Sequence, residues 1–501
     1  MGDEASTDRQ ALADHPLTAR RVEKLESIQQ LGVDPYPLRF EISDHAVELH
    51  EKYAELPPGS ETDDRVTVAG RLMGMRDMGR LRFGVLQDQS GRIQLYLDED
   101  LLGDAVNLID SVDLGDWLGC SGAIMTTRKG ELSVRVEEVT LLAKSLRPLP
   151  EKFHGLQDVE RRSRQRYLDL TVNEEARRVV QKRIGTIAAL RTAFEDRGFI
   201  EVETPVLHLA PGGAVARPFV THHEALDVDM YLRIALELQL KMLVVGGMER
   251  VFEIGRNFRN EGVDSTHSPE FTMLEGYQAY ADYHDIAELI EQVLGEVAVA
   301  VSGTHSLAYQ GREVDLTPPF RRATLLELVA SYTGSRLDFE TPGEELRAEA
   351  VRLGVEPDAN WGPGRTISEV YEKHVEPNLW EPVFVFDHPL EVSPLARTHR
   401  ADPNLAERFE LFICGMEMAN AFSELNDPVE QRQRFEEQLH ARAAGDAEAN
   451  ALNEEFVLAL EYGLPPTGGL GIGVDRLVMV LSDTAHIRDV QLFPHLRSSG
   501  S

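Results

Sequence analysis

Residues Val251 to Tyr283 read VFEIGRNFRNEGVDSTHSPEFTMLEGYQAYADY, and the chain is organised around this stretch. An apolar, β-prone run from Val251 to Ile254 leads into Arg256, Arg259 and Glu261. Gly262, Asp264, Ser265 and Thr266 are turn formers and make the loop. His267, Pro269, Glu270 and Phe271 close it, and Phe271 to Tyr283 reads as a returning strand and its exit. Strand, charged loop and strand predict an antiparallel hairpin built around an anion. An arginine in such a loop grips a phosphate bidentately, and an aromatic on the return strand stacks on a purine. Glu275 and Tyr277, two apart on that strand, share one face. A surface hairpin with a solvated charge cluster would carry the same residues, so the companion stretches decide.

The 501 residues suffice for two to four domains, and 42% apolar with 27% charged residues is ordinary for a globular protein. No apolar run reaches membrane-spanning length, and the polar start GDEASTDRQ is no signal peptide. Cys120 and Cys414, far apart in sequence, read as buried thiols of a reducing compartment rather than a disulfide or metal site. The expected location is the cytoplasm. A net charge of −34 argues against nucleic-acid binding over the whole surface but leaves room for a local basic face.

Residues 1–64 read as an N-terminal helical extension, with a helix near Ala19 to Leu31 and a boundary at Pro57, Pro58, Gly59 and Ser60. Across 65–145 five short strands separated by turns suit a Greek-key barrel of the OB type, which commonly binds single-stranded nucleic acid. Arg76, Arg80, Arg82 and Arg92 cluster beside Phe83, an arrangement able to stack and clamp a splayed base. A purely structural barrel fits the same strands. Residues 146–165 form a Pro-containing linker. From Glu174 to about Arg197 the spacing predicts a helix, and Phe199 to Leu207 a strand whose Pro205 puts it at an edge or interface. Pro211-Gly212-Gly213-Ala214 is a tight turn, Glu237 and Lys241 interrupt an apolar stretch, and about 313–377 reads as a mostly helical insertion.

In RFELFICGMEMANAFSELND, Arg408 to Asp427, a two-residue turn at Cys414-Gly415 sets Phe412 opposite Glu417 and Glu410 opposite Ala419. Alternation then puts Glu410 and Glu417 on one face, where a hard cation such as Mg²⁺ would separate them. The same alternation sends Asn420 and Glu424 to the other face unless the strand bends. Finally, GGLGIGVDR, Gly468 to Arg476, is a glycine-rich strand entering a helix, with Arg476 at the junction. Read alone, that is a strand–helix packing motif more often than a nucleotide site.

In this order, the helix and strand ending at Pro205, the FRNE loop with its return, and the terminal GLGIGVDR resemble motifs 1, 2 and 3 of class II aminoacyl-tRNA synthetases. With the preceding barrel and the phrases RQRYLDL, LAPGGAVARPFVTHH, EVSPLAR and FSELND, the chain resembles the bacterial lysyl-tRNA synthetases of subclass IIb. The similarity runs from about Val66 to Pro494. It implies an α+β fold, an N-terminal OB-fold anticodon-binding barrel followed, over 166–501, by a catalytic domain of antiparallel sheet flanked by helices. It implies ATP-dependent ligation of L-lysine to tRNA(Lys) through a lysyl-adenylate, with Mg²⁺, in a homodimer built on motif 1. By the same resemblance Arg259 holds the α-phosphate of ATP and the lysine carboxylate, and Glu261 and His267 contact the adenine and phosphate ends. Phe271 and Arg476 sandwich adenine, and Glu410 and Glu417 hold Mg²⁺. Gly213 and Glu237 match contacts to the α-amino group, Asn420 to the carboxylate, and Glu275, Tyr277 and Glu424 to the side-chain ammonium. Arg76, Phe83, Gln94 and Glu131 match anticodon-reading positions. Two carboxylates and a phenol suit a buried ammonium, which needs paired charge.

Several positions depart from the usual family wording. Leu236 stands where a proline is usual before the Glu, Gln239 for an aromatic, and Met242 and Met416 for arginines. Gly276 replaces a larger residue, and Ala419 and Ala421 replace glycines that would supply the bend. Lost bulk at 276 and gained bulk at 419 and 421 could reshape the pocket without touching the contacting residues. Three readings stand beside one another: an ordinary synthetase, a paralogue with an altered pocket that resists an inhibitor or activates a lysine analogue, and a non-catalytic relative.

Overall fold

A computed structural model describes residues 15–150, 156–210, 212–214, 216–443 and 453–496, with backbone alone at 440–443. Pro211 of the tight turn and the tail from Ser498 to Ser501 lie outside the described residues. The chain forms two compact units, Met1–Leu156 and Gln157–Ser501.

In the first unit five strands close a barrel in the order β1-β2-β3-β5-β4: Glu61–Asp77 (β1), Leu81–Gln87 (β2), Arg92–Asp98 (β3), Trp117–Thr126 (β4) and Leu132–Ala143 (β5). Alternation turns Leu72, Leu86, Leu95, Ile124 and Val134 inward, all essentially unexposed. The helices Ala19–Gln30 and Ala46–Lys52 add Ile28, Ala46 and Leu49 to that same core. They therefore pack as part of the barrel's hydrophobic body.

The second unit is built on eight strands: Ile200–Glu201 (β6), Arg250–Phe258 (β7), Glu270–Ala279 (β8), Arg321–Thr324 (β9), Val383–Phe386 (β10), Arg408–Ile413 (β11), Met416–Ser423 (β12) and Thr467–Gly473 (β13). Their order is β9-β10-β11-β12-β13-β8-β7-β6. The six central strands are antiparallel, and each edge strand pairs in parallel. Helices Glu174–Glu195, Tyr283–Ser302 and Val474–Ser482 cover one face through Phe194, Ile290, Leu294 and Val478, which pack with Phe252, Leu274, Ala419 and Ile472 of the sheet. On the other face the helices Glu237–Val245 and Glu454–Glu461 pack against Val251, Tyr277 and Ala279, and the cavity lies beside them.

Two expectations change. The stretch Phe199 to Leu207 is not one strand: Ile200–Glu201 joins the main sheet, while Leu207–His208 joins a side sheet with Val228–Leu232. Pairing with the main sheet ends at Glu201, and Pro205, with no N–H to donate, lies in the unpaired stretch between the two sheets. The hairpin of β11 and β12 also differs. Cys414 and Gly415 form the turn with φ of 56° and 71°, and Phe412 does oppose Glu417. Glu410, however, opposes Asn420 rather than Ala419, because the register shifts between Leu411 and Phe412. Met418 is the extra residue of a β-bulge. That bulge is the bend, and it forms with alanines at 419 and 421. After it, Asn420, Phe422 and Glu424 lie on the face of Glu410 and Glu417.

Within the stretch 313–377, Arg321–Thr324 is an edge strand of the main sheet, and the helices Leu325–Thr333, Gly343–Arg352 and Pro363–His374 follow.

Candidate functional site

Strand β13 explains the glycines. Gly469 and Gly471 lie between Tyr277 and Glu275 of β8 on one side and Phe422 and Asn420 of β12 on the other. A Cβ at 469 would overlap Glu424 Oε1, and one at 471 would come within 3.0 Å of Met273 Cε. The missing side chains leave a trough on the sheet, the floor of a cavity of about 1340 Å³. Gly213, Glu237, Arg259, Glu261, His267, Phe271, Glu275, Tyr277, Glu410, Glu417, Asn420 and Arg476 all line it. Glu424 does not. It is 2% exposed and ion-paired to Lys241 on the same side of the sheet, over Gly469.

At one end Glu275 and Tyr277 are buried side by side. Leu236 N–H and the Asn257 amide donate to Glu275 Oε1 at 3.1 and 3.4 Å, and Tyr277 Oη donates to Oε2 at 3.4 Å. Burial pushes the Glu275 carboxyl up to about 7; the Leu236 amide opposes this and the Glu237 charge adds to it. Gly213 closes this end with φ of +87°, a conformation that disfavours any side chain.

In the middle of the cleft the Arg259 guanidinium stands 5.1 Å from the Phe271 ring centroid, and its Nε donates to the Ile234 carbonyl at 3.4 Å. Burial lowers it from its ordinary value, while Glu261, Glu417 and Glu275 favour its charge. Across the cleft Arg476 donates to the Glu417 carbonyl at 2.6 Å and lies 3.2 Å from His267 Nε2. His267 Nδ1 lies 2.8 Å from Asp264 Oδ2. These contacts fit the tautomer with the proton on Nδ1, donating to Asp264 and accepting from Arg476. The neighbouring Asp475 fixes this corner. It pairs with Arg183 at 2.5 Å and accepts from Thr272 N–H at 2.6 Å, all buried. Breaking such a pair typically costs about 3–5 kcal/mol.

At the far end carboxylates gather without enough cations. Glu410 holds Arg408 at 2.7 Å. Burial, and then Glu410, Glu372 and Glu417, push Glu376 up to about 9. Burial first, then Glu369, push Glu372 up to about 7. Glu410 and Glu417 present hard carboxylate oxygens to the cavity, the donor type a divalent cation takes, although no group of three or more metal-ligating side chains forms among the described residues.

In the barrel Arg76 opposes Phe83, Phe83 opposes Tyr96, and Tyr96 opposes Arg135 in a row across the sheet. Phe83 and Tyr96 meet edge to face at 5.6 Å. Gln94 sits beside this row, accepting from Ser133 Oγ at 2.9 Å, and Ser133 Oγ also lies 3.2 Å from the carbonyl of Glu131. Of the clustered arginines, Arg80 and Arg82 are tied up in ion pairs with Asp100 and Asp110, and Arg92 bonds Gln87. Arg76 is exposed and makes no ion pair among the described residues.

Gly276 and Ala421 do not line the pocket, and Ala419 borders it with its side chain turned into the core. A Cβ at 276 would meet Phe194 and Phe252 at 3.2 and 3.5 Å, and both alanines pack in the helix-side core. Period-2 alternation puts all three on the opposite face from Glu275, Tyr277 and Asn420. Met416 is buried in that core too, Met242 of the helix Glu237–Val245 packs against a second core with Leu240 and Phe456, and Gln239 Oε1 is buried without a partner among the described residues. Leu236 does bear on the pocket, because its N–H reaches Glu275.

Sequence reasoning missed Arg408, Phe422, Tyr96 and the partnership of Lys241. Arg408 links Glu410 to Asn420, whose Oδ1 it reaches at 3.1 Å. Alternation within RFE and NAFSE was the available signal for Arg408 and Phe422.

A family model described as class II tRNA synthetases (D, K and N) matches residues 158–497, and one described as an OB-fold nucleic acid binding domain matches residues 66–142. The chain is 51% identical to the lysine–tRNA ligase of Moorella thermoacetica over 97% of this chain and 98% of that one. It is 53% identical to that of Synechococcus sp. (strain CC9311) over 97% and 99%. With that of Nostoc punctiforme the identity is 50% over 98% and 89%.

Proposed function

Because this chain belongs to the class II tRNA synthetases (D, K and N), we propose that the glycine-floored cavity activates L-lysine with ATP and that the protein ligates it to tRNA(Lys). The protein is an aminoacyl-tRNA ligase. The carrying observation is the buried Glu275–Tyr277 end of the trough beside Arg259, a match for an amino acid with a cationic tip. The lysine carboxylate attacks the α-phosphorus of ATP, forming lysyl-adenylate as the bond to pyrophosphate breaks. A ribose hydroxyl of the terminal tRNA adenosine then attacks the adenylate carbonyl, forming the ester and releasing AMP. No protein nucleophile is needed. Arg259 lies where it neutralises carboxylate and α-phosphate together, and Arg476 and Phe271 hold the purine. Glu410 and Glu417 would hold a divalent cation, proposed as Mg²⁺, which would supply positive charge to the phosphates when bound.

Gly213 and Glu237 take the α-ammonium, Asn420 the carboxylate, and Glu275 and Tyr277 the ε-ammonium, with Glu424 as the charge behind them. In the barrel, Arg76, Phe83, Gln94 and Glu131 read the anticodon. A homodimer is proposed on the β6 side, supported by exposed Ile184, Ile200, Leu207 and Leu209. No helix among the described residues is long and apolar enough to cross a membrane. Cys120 and Cys414 are free, buried and pushed up to about 12 by burial, which supports a reducing cytoplasm.

The test is ATP–pyrophosphate exchange with L-lysine against ornithine, arginine, β-lysine and hydroxylysine, followed by tRNA charging. Exchange confined to an analogue would reject the ordinary-ligase reading. Two predictions attach to it. The ε-ammonium binds the ionised Glu275, whose carboxyl in the empty pocket titrates at about 7. Lysine binding lowers that value, so affinity is full above it and falls as pH drops through about 7, by roughly tenfold per unit. Calorimetric titration from pH 6 to 8.5 measures the inflection, and Leu236→Pro, which removes the N–H on Glu275, moves it upward. Phe83→Ala weakens tRNA binding by roughly 5- to 100-fold, the range for one lost base stack, and leaves lysine-dependent exchange unchanged. Filter binding and exchange on the same preparation check both halves.

A further inference from the structure

Lys241 lies four residues after Glu237 on the helix Glu237–Val245, so both side chains leave it on one side. The ammonium is fully buried. Nζ stands 2.6 Å from Glu237 Oε1 and pairs with Glu424 Oε2. The rings of Tyr277, Phe422 and Phe456 surround it at 6.0, 5.3 and 5.6 Å. Burial works against its charge, but Glu237 and Glu424 outweigh burial and hold it above the ordinary lysine value. Enclosing an ammonium carries a heavy desolvation penalty, and a methionine would fill the same volume without one. The charge itself therefore calls for an explanation.

Counting charges supplies it. Three carboxylates, Glu237, Glu275 and Glu424, converge on this end of the trough, and they are the acids that face one another there. Each comes from a different element: the helix, β8 and the exit of β12. The helix Glu454–Glu461 contributes only Phe456 to the group around Lys241. Burial holds the Glu424 carboxyl well above the ordinary carboxylate range and lifts Glu275 to about 7, so each ionises only against a cation, and the two ammonium groups of a lysine substrate serve two of the three carboxylates and leave one. A resident ammonium closes the sum.

We propose that Lys241 sets the charge count of the amino-acid pocket: it neutralises Glu424 and orients Glu237, so that the vacant negative charge matches a substrate carrying two ammonium groups. This rests on the lysine-activating reading above. Lys241 is a positioning residue, acting on the substrate through Glu237 and Glu424. Without it, Glu424 is left buried and unpaired and must take up a proton, which then competes with the substrate.

The experiment is calorimetric titration of L-lysine and, separately, ATP into the full-length protein and the variants Lys241→Met, Lys241→Arg, Glu424→Gln and Lys241→Met/Glu424→Gln, between pH 6 and 8.5, with thermal melts alongside. Lys241→Met is expected to weaken lysine binding by about tenfold or more with ATP binding within about twofold. Its affinity–pH inflection moves upward, Lys241→Arg recovers most of the loss, and the losses of Lys241→Met and Glu424→Gln do not multiply in the double variant. Unchanged lysine affinity in Lys241→Met overturns the proposal, as do losses that multiply, or equal losses for ATP and lysine with a lowered melting temperature. Should Lys241→Met fail to fold, the double variant decides: binding lysine no worse than Glu424→Gln alone supports the proposal, and binding it worse by the full single-variant factor overturns it. The ligase reading is judged separately, by exchange in the unaltered protein, so either can fail while the other stands.

Discussion

Arg259→Gln lowers lysine-dependent ATP–pyrophosphate exchange by a factor on the order of 10²–10³, the usual cost of one preorganised charge donor at a reacting centre. The reason is position. Arg259 lies between the Glu275–Tyr277 end and the Glu410–Glu417 end of the cavity, where a carboxylate and an α-phosphate would meet. Both are negative, and their approach is opposed until a cation lies between them. A glutamine keeps the stem's length and a donor but supplies no charge. Stability should hardly change, because the one side-chain hydrogen bond Arg259 makes among the described residues is a long one to the Ile234 carbonyl at 3.4 Å. Exchange rates and a thermal melt on the same preparation measure both quantities. Exchange within about threefold of the unaltered protein would remove Arg259 from the reaction, since even a weak donor contributes more.

Gly469→Ala is expected to raise the KM for lysine by roughly 10- to 100-fold, with the KM for ATP nearly constant. One methyl group does this because of where it falls. The new Cβ would overlap Glu424 Oε1 and stand 2.6 Å from Tyr277 Cε1. The backbone cannot retreat, since β13 is hydrogen-bonded to β8 and β12 on both sides. Overpacking a tight site costs about 1–3 kcal/mol, and here it falls on Tyr277, proposed to hold the substrate tip, and on Glu424, the charge behind it. Gly471→Ala is the control. Its Cβ crowds only the flexible end of Met273, at 3.0 Å, and stands at ordinary contact distances of 3.7 Å from Glu275 Cγ and 3.9 Å from the Asn420 carbonyl, so its effect should be smaller. Equal effects at 469 and 471 would mean that the trough tolerates or rejects bulk uniformly, and the packing argument would fail.

Much of the site is legible in the linear order. Arg259, Phe271, Glu275 and Tyr277 lie on one hairpin, and a hairpin's register follows from its two strands and the loop between them. The OB barrel is legible because five short alternating strands have few other ways to bury one face each. The bulge at Met418 is not. Strict alternation set Glu410 opposite Ala419 and sent Asn420 to the wrong face, and the alanines gave no local sign of a bend. The bulge is favoured because it lets Glu417 and Asn420 share the cavity face while Ala419 and Ala421 remain in the core, a gain that exists only once the sheet has neighbours on both sides.

Lys241 divides the two kinds of information in the same way. Its spacing from Glu237 announces a helical pair, and an apolar surrounding announces burial. That the pair meets Glu424, nearly two hundred residues later, follows only from β12 and the helix Glu237–Val245 being brought to one end of β8. The sequence by itself determined the family, the two-part architecture, and which residue types stand at the reacting centre, because motif order and local periodicity are properties of neighbours along the chain. Tertiary structure alone decided which face each side chain takes beyond the bulge, that the glycines of β13 clear a floor, and that the pocket holds its own ammonium. Those are properties of strands and helices distant in the chain, and the physical cause is that burial leaves each charge to be satisfied by whatever the fold packs beside it.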